Sequence, residues 1–153
     1  MKKFNIITKS DIKSKELAAK IKDALLSYNY KFEIDNPELV IILGGDGKLL
    51  RTVHNYIDKI DKINFISVLT GTLGFSSDYH QDEIDSLIES ILHGESFIEK
   101  VHLLEATLNF KDHQETHYAL NELRLENRYH TCNIDVYLNN KFFETFKGNG
   151  WTI

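Results

Sequence analysis

Hydrophobic and polar residues alternate between strand-like and helix-like patterns over the first two thirds of the chain. Short apolar runs predict strands at 4–7, 30–34, 39–43 and 64–69, and the continuous aliphatic run at 39–43 is typical of a fully buried parallel strand. Apolar residues at helical spacing predict helices at 10–28, 49–60 and 82–93. Ser10 is the candidate N-cap of the first helix, and Gly94 is predicted to end the third. This order predicts a parallel sheet covered by helices.

The helical period disappears near residue 97. Strands are predicted at 104–110, 116–126, 132–138 and 142–146, with Asn139-Asn140 as a two-residue hairpin turn because Asn tolerates positive φ. Strand parity in 116–126 puts Asn121 on an apolar face and Glu122 on the opposite, charged face. The predicted fold class is α/β: an N-terminal α/β domain at 1–98, followed by antiparallel β structure at 99–153.

Composition narrows the possible functions. The chain has 153 residues and a formal charge of −5, which argues against nucleic-acid or membrane-surface partners because both need a positive field. No apolar run approaches the roughly 20 residues of a membrane span. The polar N-terminus is unlike a signal peptide, and Cys132 has no second cysteine to pair with, so a cytoplasmic location is expected. Cys132 is expected to be an inert buried thiol, and the seven histidines show no metal-binding spacing.

Gly44-Gly45-Asp46-Gly47 lies between the buried strand at 39–43 and a predicted helix. Backbone N–H groups at such a turn bind phosphate, and ligands of open α/β sheets lie beyond the carboxyl ends of the strands. Asp46 has two interpretations at this stage. It holds a bound metal or orients and deprotonates a hydroxyl nucleophile, or it merely N-caps the following helix. Neither the Walker A spacing nor Gly-x-Gly-x-x-Gly is present.

Four segments carry a resemblance to a known family. Leu43-Gly44-Gly45-Asp46-Gly47 followed by Leu49-Leu50 resembles the glycine motif of the NAD kinases. The segments at 70–75, 119–122 and 147–150 resemble that family's Gly-x-Leu-Gly-Phe, Asn-Glu and Arg/Lys-Gly-Asp-Gly motifs, in the same order. Lipid kinases and phosphofructokinases share similar glycine turns, but the second and third segments argue against a lipid kinase. The resemblance implies a Rossmann-like α/β domain followed by a β-rich NAD-binding domain.

The resemblance also implies an activity: transfer of a phosphoryl group from ATP or polyphosphate to the 2′-hydroxyl of the adenosine ribose of NAD, giving NADP, with Mg²⁺ assisting and with a homo-oligomeric protein. Asp46 would be the catalytic residue that accepts the hydroxyl proton. Phe75 would line the adenine pocket or, alternatively, be a core aromatic; Asn121 would bind ligand or an internal backbone partner; and Glu122 would bind ligand or be a solvated charge. The candidate nucleotide-binding residues are Asp46, Gly47, Leu50, Phe75, Asn121, Glu122, Lys147 and Asn149.

The sequence departs from the family pattern at three places. Lys48 stands where the family usually has Thr, and it either opposes the helix dipole or reaches a phosphate. Asn149 stands where the family usually has Asp. The chain stops before the family's second nucleotide-binding segment, so its β-rich domain is expected to be incomplete, with exposed edges and apolar faces. A non-catalytic, truncated NAD kinase relative is therefore the alternative function, and a lipid kinase is a more distant one.

Overall fold

The computed structural model describes residues 2–94 and 97–153, and the chain divides into two compact units, Met1–Val101 and His102–Ile153. The boundary predicted from the pattern, between residues 98 and 99, lies close to this division. The first unit contains the parallel sheet and its helices, and the second contains antiparallel strand pairs. The observed fold is therefore α/β followed by antiparallel β structure, which confirms the predicted fold class.

The sheet of the first unit has five parallel strands in the order β2-β1-β3-β4-β5. The four predicted strands are present, and the two-residue β5 is additional because it is too short to form a hydrophobic pattern. It pairs with the end of β4. The strands are β1 Lys3–Thr8, β2 Lys31–Phe32, β3 Leu39–Gly44, β4 Asn64–Leu69 and β5 Tyr79–His80.

The helices are α1 Ile12–Ser27, α2 Asp46–Asn55 and α3 Ile84–His93. The N-cap of α1 is Asp11 rather than Ser10, because the Asp11 carboxylate accepts a hydrogen bond from the Ser14 N–H at 2.9 Å. Gly94, at φ 69°, ends α3 as predicted.

The single helix predicted at 49–60 is wrong at both ends. Helix α2 begins at Asp46 and ends at Asn55, and a separate 3₁₀ helix follows at Ile57–Lys62. The chain turns at Tyr56, whose hydroxyl accepts a hydrogen bond from Asn5 Nδ2 and donates one to the Ile34 carbonyl, both at 2.9 Å. A local hydrophobic period cannot predict this turn, because the partners of Tyr56 lie far away in the sequence.

Helices cover both faces of the sheet, and β3 lies between them. Ile41 and Leu43 face the cluster that contains α1 and α3, whereas Val40 and Ile42 face the smaller cluster on the other side, next to Ile63. All four β3 side chains are fully buried. This confirms the prediction of a fully buried parallel strand. The carboxyl end of β3 leads directly into the glycine turn.

The second unit consists of three two-stranded antiparallel sheets. The paired strands are β6 Leu104–Asn109 with β7 Gln114–Ala119, β8 Arg124–Glu126 with β11 Gly150–Thr152, and β9 Cys132–Leu138 with β10 Lys141–Gly148. Asn139 and Asn140 have φ values of 52° and 63°, which confirms the predicted hairpin turn.

The continuous strand predicted at 116–126 is wrong. The chain leaves the extended conformation after Ala119 and resumes it at Arg124, because β7 pairs with β6 whereas β8 pairs with β11. Asn121 lies in the irregular stretch and is exposed, so the parity argument that set it on an apolar face does not hold.

Apolar surface is largely exposed in the second unit. Val136 is the one buried apolar residue among those described there, whereas Tyr137, Phe142 and Phe143 are each more than half exposed. Cys132 is only partly buried, with its Sγ 3.6 Å from the Gly148 carbonyl oxygen, so the expectation of a buried thiol is wrong. In the part of the chain that the structure describes, no helix is both long enough and apolar enough to cross a membrane.

Candidate functional site

A cleft of about 650 Å³ opens where the strand order reverses, between the carboxyl ends of β1 and β3. Open α/β sheets bind ligands at this switch point because the loops after the two central strands diverge there. The lining comes from the β1–α1 loop, the glycine turn, the first turns of α2 and the loop after β4. The lining residues are Lys9, Ser10, Asp11, Gly45, Asp46, Gly47, Lys48, Arg51 and Leu73.

Asp46 does not cap α2. The N-cap is Gly45, which makes no side-chain capping bond, and Asp46 is the first helical residue. The capping alternative for Asp46 is therefore wrong. Its carboxylate lies within the first turn of α2, where the helix dipole stabilises negative charge.

The Asp46 carboxylate binds the loop that follows β4. Its Oδ2 accepts from the Phe75 N–H at 3.0 Å, and its Oδ1 accepts from the Phe75 and Ser76 N–H groups at 3.2 and 3.1 Å. Two segments 29 residues apart, the glycine turn and the 70–75 motif, are thereby joined through one side chain. Since a carboxylate has about four lone-pair positions and only two N–H groups occupy them, Asp46 retains capacity for a hydroxyl or a cation.

Glycines permit close packing in both segments. A Cβ at Gly44 would lie 2.7 Å from Lys48 Cβ, so the stem of Lys48 rests directly over the turn. A Cβ at Gly74 would lie 2.9 Å from Leu69 Cδ1 and 3.5 Å from Asp46 Oδ1. Because these two glycines have no side chain, Lys48 can lie over the turn and the loop that follows β4 can approach Asp46.

Three cationic side chains and two carboxylates line the cleft: Lys9, Lys48 and Arg51 against Asp11 and Asp46. The cleft is therefore locally positive although the whole chain carries −5. The Ser14 backbone N–H, followed by the Ser14 hydroxyl, holds the pKa of Asp11 below its usual value. Asp11 is consequently ionised at neutral pH and is already engaged as a cap.

Sequence reasoning missed Lys9 and Arg51. Lys9 follows β1, and its proximity to the glycine turn depends on β1 and β3 being neighbours in the sheet, which no local pattern reveals. The position of Arg51 at the cleft could have been predicted, because residues three apart on a helix share a face and Lys48 is in the predicted motif.

The predicted residues of the first unit occupy different surroundings. Asp46 and Gly47 line the cleft, and Phe75 is joined to Asp46 through its N–H while its side chain is 87% exposed. The alternative that Phe75 is a core aromatic is therefore wrong. Leu50 is outside the cleft lining and 36% exposed.

Three of the four predicted residues of the second unit, Asn121, Glu122 and Asn149, lie next to the ends of the β8–β11 pair. The Asn149 carbonyl accepts from the Asn127 N–H at 2.6 Å at one end, and at the other Leu123, which follows Asn121 and Glu122, pairs with Ile153. Glu122 lies 3.4 Å from Arg124, both exposed. Lys147 lies in β10, opposite Asn133 of β9.

Comparison with known proteins identifies the same family as the four sequence motifs. The family model described as the ATP-NAD kinase N-terminal domain matches residues 4–96. The chain is 37% identical to the NAD kinase of Latilactobacillus sakei subsp. sakei strain 23K and 38% identical to that of Staphylococcus aureus strain JH9, over 90% and 97% of its length. It covers 52% and 56% of those relatives, so it spans about half of their length.

The fold is also found among solved structures. A crystal structure of yeast NADH kinase complexed with NADH superposes with a TM-score of 0.83 at 18% sequence identity, covering 98% of this chain and 56% of the yeast chain. At that identity the likeness concerns the fold. Together with the family match over the α/β unit, the four motifs and the two relatives, it leads to one conclusion: the chain belongs to the NAD kinase family.

Proposed function

We propose that the chain forms the Asp46-bearing part of an NAD kinase, which phosphorylates the 2′-hydroxyl of the adenosine ribose of NAD to make NADP. The observation that carries this proposal is the Asp46 carboxylate, bound by the Phe75 and Ser76 N–H groups while it lines a cationic cleft. Family membership supplies the reaction class, and the cleft geometry supplies roles for the residues.

Asp46 is proposed as the acceptor of the hydroxyl proton. Attack of a ribose oxygen on phosphorus requires a base within hydrogen-bond reach of the hydroxyl. Because Oδ1 already accepts from two N–H groups and Oδ2 from one, Oδ2 has the greater free capacity. In the reaction the ribose O–H bond breaks and its proton passes to Asp46. The ribose oxygen bonds to the transferred phosphorus as the bond from that phosphorus to the donor's bridging oxygen breaks, which releases ADP or a polyphosphate shorter by one phosphate.

The phosphoryl donor, ATP or polyphosphate, is proposed to lie in the cleft against Lys9, Lys48 and Arg51. All three are cations at neutral pH, and charge on the transferring phosphoryl group requires such neutralisation. Of the two interpretations of Lys48, this arrangement favours the one in which it reaches a phosphate, since its stem is held over Gly44 at the cleft.

A divalent cation is proposed to enter with the donor rather than to be held by the protein alone. Within residues 2–94 and 97–153, no group of three or more His, Cys, Asp or Glu side chains is arranged to hold a metal ion. Mg²⁺ usually keeps several waters and binds one or two carboxylates together with substrate phosphates. Asp46 Oδ2 keeps one free lone pair, which fits such an ion or the ribose hydroxyl but not both at once, so the ion is proposed to bind chiefly donor phosphates and water. The ion would supply charge neutralisation on the donor phosphates.

The remaining proposals concern the nucleotide and the assembly. Phe75, exposed beside Asp46, is proposed to contact adenine, and Gly47 and Leu50 to contact nucleotide from the first two turns of α2. Further NAD contacts are proposed for four residues of the second unit: Asn121, Glu122, Lys147 and Asn149. We also propose that the protein is homo-oligomeric and cytoplasmic and that it has no nucleic-acid or membrane partner. The net charge of −5 supports the last of these.

The test measures NADP formed by the purified chain with NAD, Mg²⁺ and either ATP or polyphosphate. We expect NADP formation that falls by about 10²- to 10⁴-fold in Asp46→Asn, which keeps the side chain's size but removes the proton acceptor. Asp85→Asn is the matched control, because Asp85 is an exposed residue of α3 that pairs with Lys20 of α1 and lies outside the cleft lining.

Three results would count against the proposal. The first is a folded sample, verified by circular dichroism, that forms no NADP, which would instead support the non-catalytic, truncated relative. The second is equal activity of the chain and its Asp46→Asn variant. The third is phosphorylation of sphingosine or diacylglycerol in place of NAD, which would instead support a lipid kinase.

A further inference from the structure

We infer that Ser67 is a positioning residue of the site: it holds the loop after β4 so that the Phe75 and Ser76 N–H groups clamp the Asp46 carboxylate. The inference deepens the proposed function, since it gives the proposed proton acceptor a fixed orientation. It begins from the observation that the loop is bound at two separate places, by Asp46 on one side and by a set of bonds at Ser67 on the other.

Ser67 lies in β4 and is 5% exposed. Its hydroxyl lies 2.6 Å from the Ser76 carbonyl oxygen and accepts from the Asp78 N–H at 3.1 Å. Its backbone N–H donates to Asp78 Oδ2 at 2.7 Å, and its carbonyl accepts from the Asp78 N–H at 2.9 Å. One buried residue therefore binds both Ser76 and Asp78.

The Ser67 hydroxyl and the Asp46 carboxylate grip the same residue from opposite sides. The Ser76 carbonyl accepts from the Ser67 hydroxyl at 2.6 Å, and the Ser76 N–H donates to Asp46 Oδ1 at 3.1 Å. The loop's other end is also attached to the glycine turn, because the Thr70 N–H donates to the Gly44 carbonyl at 3.2 Å. With both ends fixed, the N–H groups of Phe75 and Ser76 are set in place before any ligand arrives.

A preset donor pair has a chemical consequence. A free carboxylate rotates about its Cβ–Cγ bond, whereas two N–H groups from a fixed loop define its plane and leave one lone pair of Oδ2 available. Groups placed in advance contribute to catalysis by avoiding reorganisation at the moment of reaction. Ser67 acts in this way through the loop and Asp46, without touching substrate.

The test is residue-resolved amide hydrogen exchange of the chain without any ligand. In Ser67→Ala we expect the Phe75 and Ser76 amides to exchange about tenfold faster, the effect of losing one buried hydrogen bond. The amides of β3 should keep their rates. Asp78→Asn, which weakens the same bonds from the exposed side, should accelerate the same two amides to a lesser extent.

Two further variants complete the design. Asp46→Asn should accelerate exchange at Phe75 and Ser76 but leave the Ser67 amide protected, because the bonds between Ser67 and Asp78 do not involve Asp46. Ser27→Ala, which removes an exposed hydroxyl bonded to Ala24 in α1, should change neither loop amide.

Unchanged rates at Phe75 and Ser76 in Ser67→Ala would overturn the inference. So would a uniform acceleration that includes β3, because that pattern shows a general stabilising role. Since no nucleotide is present, the exchange result does not depend on the proposed activity. If the Phe75 and Ser76 amides exchange faster in Ser67→Ala and the chain makes no NADP, the positioning of Asp46 is supported and the proposed function is refuted.

Discussion

At the scale of single residues, the candidate site depends on side chains whose partners lie far away in sequence. Asp46 is held by amides of residues 75 and 76, and Lys48 occupies the space that a Cβ at Gly44 would fill. The glycine turn therefore does more than admit a ligand to the backbone. It directs one carboxylate towards the next loop and one ammonium group into the cleft.

Replacing Lys48 by Thr, the residue usual in the family, tests its proposed phosphate contact. A charge-assisted hydrogen bond contributes about 1.5–3 kcal/mol, so we expect Lys48→Thr to raise the KM for ATP about tenfold and to leave the KM for NAD nearly unchanged. The measurement is initial rate against each substrate. Lys62→Thr, at an exposed residue outside the cleft lining, is the control. An unchanged KM for ATP would show that Lys48 does not bind the donor.

At the scale of elements, each strand pair has its own packing requirement. The β8–β11 pair is only three residues long on each side, and Gly150 opposes Glu126 within it. A Cβ at Gly150 would lie 2.5 Å from the Leu125 carbonyl oxygen and 3.2 Å from Glu126 Cα. Both obstacles are backbone atoms, so the strands themselves would have to separate.

Gly150→Ala is therefore expected to disrupt the β8–β11 pair at a cost of about 1–3 kcal/mol, in the range of overpacking. Trp151, adjacent in β11 and 4.9 Å in centroid distance from Phe146, is the chain's single tryptophan and reports the change through its fluorescence. Gly148→Ala is the matched control, because its added Cβ meets nothing closer than 3.8 Å. Equal tryptophan spectra for the two variants would contradict the clash.

At the scale of the whole chain, the two units differ in how much apolar surface they bury. The α/β unit contains both buried clusters, with fully buried Phe4, Ile21, Ile41 and Leu87 among their members. In the described part of the second unit, Val136 is the one buried apolar side chain. Isolated two-stranded sheets are at best marginally stable in water. Stability is therefore expected to reside in the first unit.

Expressing the units separately tests that expectation. We expect residues 1–101 to fold alone and to unfold cooperatively, and residues 102–153 to show no cooperative transition, because the second segment lacks a core that offsets its conformational entropy. Thermal circular dichroism of the two fragments and the full chain provides the measurement. A cooperative transition in 102–153, or its absence in 1–101, would contradict this distribution of stability.

Local patterns determined much of the element structure of this protein. The aliphatic run at 39–43, the Asn139-Asn140 turn and Gly94 after α3 each encode their conformation nearby, through burial on both faces or through tolerance of positive φ. The glycine motif and the three segments after it were sufficient to indicate the family, because each is a short contiguous string of residues.

Tertiary structure alone decided which of those segments meet. The adjacency of β1 and β3 brings Lys9 to the cleft, the loop after β4 takes the Asp46 carboxylate, and separate partners for β7 and β8 break the strand predicted through Asn121. The physical reason is the same in each case. Periodicity records how a segment meets water and its immediate neighbours, whereas hydrogen bonds between residues tens of positions apart exist only after the strands have taken their order in the sheet.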